Sequence, residues 1–170
     1  KIHKGFSELQ RLNLVQAATV RMVGAQAEGC APVVDAYKAG TLNVRPVRPR
    51  TIAKSLAIGD PADGYYALKI VRQTRGAHES VTDAEIVDGI QLLASTEGIF
   101  SETAGGVSVG VLKKLAQAGK IEPDELVVVY ITGNGFKTLE AVTEHVAPVL
   151  HVTPTLAAFE EGARAWLPSA

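Results

Sequence analysis

Residues 126–131 read Leu-Val-Val-Val-Tyr-Ile, six apolar or aromatic residues without a polar interruption, and this run limits the folds open to the chain more than any other stretch. A strand that is apolar at every position, not at alternate ones, is the pattern of a strand buried on both faces of a parallel sheet. The run ends at Thr132-Gly133-Asn134-Gly135. Glycine on either side of asparagine permits positive φ and lets main-chain N–H groups approach a neighbour closely. Ligands of open α/β sheets bind beyond the carboxyl ends of the strands, so this turn is a candidate small-molecule site as well as an ordinary strand-to-helix turn.

The rest of the chain fits a layered α/β domain. Its 170 residues suffice for one domain with a substantial core, burying roughly 70% of the surface exposed by the unfolded chain. Charges of both signs are interspersed and the net charge is −1, with no basic block that would favour nucleic acid. No apolar run is long enough to span a bilayer, and the amino terminus lacks the pattern of a signal peptide. The single cysteine, Cys30, cannot form an internal disulfide and is consistent with a reducing cytoplasm.

Reading in order, residues 1–12 have the periodicity of a helix entered partway, without an initiator Met or a capping residue, which suggests a fragment. Residues 19–26 are expected as a strand and 30–39 as a helix closed by Gly40. Residues 42–50 form a polar, proline-bearing loop in which Arg45, Arg48 and Arg50 either meet an anion or remain solvated. A short apolar stretch, 51–58, precedes a turn holding Asp60 and Asp63, whose carboxylates serve turn and cap positions without any chemistry. A helix over 65–72 and a strand over 76–81 follow. Thr82 and Glu85 make a capping box for a helix with Ile86, Ile90 and Leu93 on one face. A brief strand over 97–102 leads to a helix over 104–118 with Val107, Val111, Leu112 and Leu115 turned inward. After the Gly-Asn-Gly turn come a short helix over 139–145 and an amphipathic one capped by Thr153, with Pro154 in its first turn and Leu156, Phe159, Ala163 and Trp166 as its stripe. Strands alternating with helices indicate a three-layer α/β fold with a mostly parallel sheet.

Short motifs taken singly are weak. Gly106-Val107-Ser108-Val109-Gly110 matches the nucleophile elbow G-x-S-x-G, with His145 and His151 downstream in triad order. An elbow needs its serine at a tight strand-to-helix turn, however, and Ser108 falls inside the helix over 104–118. The dinucleotide fingerprint fails because Thr138 stands where its third glycine belongs. The four histidines show no paired metal-ligand spacing.

A set of motifs in order is more specific. Lys4-Gly5-Phe6, Thr51-Ile52-Ala53, Ile58-Gly59-Asp60-Pro61-Ala62, Glu97 through Gly106, and Thr132-Gly133-Asn134-Gly135-Phe136-Lys137 resemble the carboxyl-terminal half of the threonine synthases, within the fold type II pyridoxal-phosphate enzymes. Many members have Pro where Thr103 stands, and Leu and Asp where Phe136 and Thr138 stand. The resemblance implies a lyase using pyridoxal 5'-phosphate to convert O-phospho-L-homoserine and water to L-threonine and phosphate. It implies that residues 1–145 complete the large cofactor-binding domain, with 146–170 as a helical extension, and that the protein is a homodimer. In the family the turn threonine bonds the pyridine nitrogen. Thr132 matches it, Gly133 follows it, Ala62 matches a wall of the cofactor slot, and Glu102 matches an acidic position near the ring. A carboxylate at the start of the following helix accounts for Glu102 without any cofactor. The family's Schiff-base lysine and phosphate-binding residues precede Lys4-Gly5-Phe6. None of the nine lysines here has that context, Lys54 and Lys137 are expected to face solvent, and this chain alone is expected to be inactive. A threonine dehydratase, a β-replacing synthase and a non-catalytic α/β fragment are the alternatives.

Overall fold

A computed structural model describes residues 1–16, 20–146 and 151–164. Two parallel strands, β1 (Val23–Ala27) and β2 (Ala77–Val81), lie at its centre with Val23 opposite Ala77 and Ala27 opposite Val81. Side chains alternate across this pair. Ala25, Ala27, Ala77 and Val81 join a core with Ile86, Val87 and Ile90 of α4 (Asp83–Glu97) and Val107, Val111 and Leu115 of α5 (Thr103–Gln117). On the other face, Gln26 accepts hydrogen bonds from the Val33 and Val34 amides at the start of α2 (Pro32–Lys38), and Tyr37 packs edge-on to His78. α3 (Gly64–Gln73) covers α2 through Leu68, which meets Val33 and Ala36. The sheet is therefore sandwiched between helix pairs, giving the expected three α/β layers. A further helix, α1 (Ile2–Arg11), buries none of its residues; α6 (Leu156–Arg164) lies at the other end of the sequence.

The capping box is formed: Glu85 N donates to the Thr82 hydroxyl and Thr82 N to the Glu85 carboxylate. α4 and α5 then approach until their backbones touch. A Cβ on Gly106 would lie 2.4 Å from the Ile86 carbonyl oxygen, and one on Gly89 would lie 2.5 Å from that of Gly106. Glycines four apart share a helix face, and Gly110 continues that face against Glu85. The glycines of the G-x-S-x-G match thus serve helix packing. Ser108 is mid-helix, its hydroxyl donating to the Ala104 carbonyl at 3.2 Å, so the nucleophile elbow is not formed.

Several expectations are corrected. Residues 126–131 form no strand and pair with none among the described residues, and Leu126 is 92% and Val128 71% exposed. Strand character needs a partner for its backbone groups as well as apolar side chains. The expected strand over 97–102 is replaced by the end of α4, closed by Gly98 at φ 68°, and by a single bridge at Ser101. The helix expected over 139–145 is a kinked 3₁₀ segment, Gly135–Ala141. Thr155, not Thr153, caps α6 by accepting from Ala158 N. Of the readings at Thr19 and Trp166, both lie outside the described residues. Among the described residues no helix is long and apolar enough to cross a membrane.

Candidate cofactor site

Two segments remote in sequence build the site. Residues 100–102 run antiparallel to 133–135, Ser101 opposite Asn134, with Glu102 N donating to the Gly133 carbonyl at 3.0 Å and Gly135 N to that of Phe100 at 3.0 Å. Phe100 and Phe136 close the end of this bridge with rings edge to face, 5.7 Å between centroids. Asn134 makes its own contribution locally, its side-chain oxygen accepting from Phe136 N at 2.9 Å to start the 3₁₀ segment. The bridge sets Thr132 and Gly133 beside the first residues of α5.

Glu102 is at the N-cap position of α5 but makes no side-chain cap hydrogen bond. Its carboxylate turns to the Thr132–Gly133 turn instead. A Cβ on Gly133 would fall 1.9 Å from Glu102 Oε1, so only glycine admits this seat. The close approach explains that glycine, whereas positive φ does not: neither Gly133 nor Gly135 adopts it. The side chain of Glu102 is 6% exposed and pairs with Lys137 Nζ, 3.4 Å from Oε1. Lys137 itself is mostly exposed, as expected, but its ammonium is engaged in this pair and not simply solvated. Nothing in the sequence alone relates positions 102 and 137; only the bridge brings them together.

Flanking Glu102, the hydroxyls of Ser101 and Thr103 are buried without a hydrogen-bond partner, and the Thr103 amide donates to the Thr138 hydroxyl at 3.3 Å. Buried polar atoms without partners are uncommon and often mark functional sites. Thr132 is exposed, and no hydrogen bond engages its hydroxyl among the described residues. A heteroaromatic group with a ring nitrogen fits the chemistry here: the exposed, unengaged Thr132 hydroxyl can donate to that nitrogen. Ala62 is exposed in the turn before α3. The structure unites Gly133 and Glu102 at the Thr132 turn.

A separate cleft of about 250 Å³, lined by Arg21, Val23, Tyr37, Arg75 and Lys120, opens at the amino-terminal ends of β1 and β2. It is remote in the topology from the carboxyl ends, where α/β ligands bind.

Comparisons with known proteins give the family. The sequence profile of the family described as pyridoxal-phosphate dependent enzyme matches residues 2–133. The threonine synthase of Methanocaldococcus jannaschii is 39% identical over 141 residues, 82% of this chain and 35% of that protein. That of Methanosarcina acetivorans is 40% identical over 144 residues, 84% of this chain and 35% of that protein. That of Mycobacterium tuberculosis is 35% identical over 134 residues. The chain spans about a third of the length of these relatives. Among solved structures, maize serine racemase aligns with a TM-score of 0.54 at 18% identity, covering 75% of this chain and 40% of that one. A fungal L-serine ammonia-lyase from Rhizomucor miehei aligns at 0.56 and 20%, covering 81% and 44%. At such identities the likeness concerns fold.

Proposed function

This chain belongs to the pyridoxal-phosphate dependent enzymes, and from that premise we propose that it forms part of a threonine synthase, acting on O-phospho-L-homoserine and water to give L-threonine and phosphate. The observation that carries the reading is the 35–40% identity to threonine synthases over about four-fifths of the chain, together with an unengaged Thr132 hydroxyl at the turn. The cofactor, when bound, supplies the electron sink that makes protons of an amino-acid substrate removable.

The residues of this chain then have defined tasks. Thr132 donates its hydroxyl hydrogen to the ring nitrogen. A hydroxyl is not acidic enough to force a proton onto that nitrogen, so the sink is gentler than one with an aspartate partner. Gly133 admits the Glu102 carboxylate against the backbone that follows Thr132. Glu102 supplies a carboxylate just behind the turn, and Ala62 is assigned to the wall of the slot by the family motif. No lysine in this chain has the context of the residue that carries the cofactor, so the proton transfers are assigned to the remainder of the protein, which we place with this chain in a cytoplasmic homodimer.

The test is to supply O-phospho-L-homoserine to the full-length protein and quantify both threonine and phosphate. Equal release of the two is expected. Ammonia and a 2-oxo acid from threonine or serine, with no phosphate release, would instead assign a deaminating enzyme of the same fold. Thr132→Val is expected to keep the fold, weaken cofactor binding and lower kcat by about 10-fold or more, the loss of one hydrogen bond in a desolvated site corresponding to about 1–2 kcal/mol. Unaltered cofactor affinity and turnover in that variant would remove Thr132 from the site.

A further inference from the structure

We propose that Lys137 is a positioning residue for the cofactor, acting through Glu102 by neutralising and seating the carboxylate that lies against the turn after Thr132. This rests on the assignment of that turn as the ring contact. Three observations converge. The Glu102 side chain is almost wholly buried, and Lys137 is its only ionic partner among the described residues. Its Oε1 occupies the space a Gly133 side chain would need, so the carboxylate is seated directly against the backbone that follows Thr132. Residue 138 holds the same strip from the other side, through Thr138 Oγ1 and the Thr103 amide, so 137 and 138 together clamp 102 and 103.

The charge has a consequence beyond position. A buried carboxylate without a cation is strongly disfavoured, and one placed beside a hydrogen-bonded base would favour a proton on that base. With Lys137 in place the pair is neutral overall. The Thr132 hydroxyl can then hold an uncharged ring nitrogen, the state a hydroxyl partner suits.

The experiment uses the full-length protein carrying Lys137→Met, Lys137→Arg, Glu102→Gln and the Glu102→Gln/Lys137→Met double substitution. Pyridoxal 5'-phosphate affinity and the absorbance maximum of the bound cofactor are measured for each. Lys137→Met is expected to weaken cofactor binding about 10-fold and to displace the absorbance maximum, and Lys137→Arg to restore both, since residues in one ion pair are energetically coupled. In the Glu102→Gln background the Lys137→Met change is expected to have little further effect. Equal effects of Lys137→Met with and without the Glu102 carboxylate would overturn the proposal, as would an unchanged absorbance maximum in the single variant. A wild-type protein that binds no cofactor would overturn the function proposed above. The pairing itself is read separately from melting of the four variants without cofactor, where non-additive shifts are expected and additive ones would overturn it.

Discussion

His78 sits in β2, 5% exposed, with the ring against Gly24 and edge-on to Tyr37, and both ring nitrogens are buried without a hydrogen bond of good geometry. Burial holds its pKa below the ordinary 6.5, and the nearby Ala67 backbone opposes this only in part. The folded state therefore favours the neutral ring. As pH falls below 6.5 the unfolded chain takes up the proton first, and stability is lost until the pH passes the folded value, by up to about 1.4 kcal/mol per pH unit. Thermal melts between pH 7.5 and 5 are expected to decline more steeply for wild type than for His78→Phe, which keeps a flat ring in the slot. Equal slopes would show that His78 does not titrate on unfolding. At this scale the sequence revealed Thr132 through its motif but gave no sign of His78 as a buried base, because burial is set by Tyr37 and Gly24, which lie far from it in the chain.

Among elements, the α4–α5 contact seats the helix that follows the Ser101–Asn134 bridge of the candidate site. Gly89 meets only backbone, and the nearest neighbour of Gly106 is the Ile86 carbonyl oxygen, so a methyl group at either position cannot be absorbed by a rotamer change alone. Gly106→Ala is expected to lower stability by about 1–3 kcal/mol through overpacking, despite the better helix propensity of alanine. A chemical-denaturation midpoint shift of the opposite sign would contradict this packing. Thr82→Ala removes the capping-box acceptor for Glu85 N and is expected to cost about 1 kcal/mol by the same measurement. Helix ends were legible because caps are local: Thr82 and Glu85 are three residues apart. The strand expected over 97–102 failed for the complementary reason. Its apolar residues serve a helix end and a one-residue bridge, and which of these forms depends on residues 133–135.

For the whole molecule, the exposed run 126–131 departs from a closed core. Leu126, Val128 and Tyr130 present apolar surface, and no strand among the described residues pairs with their backbone. Unpaired apolar edges invite pairing with another chain. The 170-residue chain produced alone is expected to self-associate and to bind a hydrophobic dye, and Val128→Lys is expected to suppress both, as read by light scattering and dye fluorescence. A monomeric chain that binds no dye would show that the run is covered.

The sequence by itself determined the longer helices, the capping box at Thr82 and Glu85 and the parallel α/β layering, because these depend on spacing within a few residues and on local hydrogen bonds. Only the tertiary structure decided which polar groups meet. Glu102 and Lys137 are 35 positions apart, and their pairing exists because a one-residue bridge and a pair of touching glycine faces bring α5 to the Gly-Asn-Gly turn. The same contacts decided against a nucleophile at Ser108: a motif spells residue types, but the backbone on which they stand is chosen by packing.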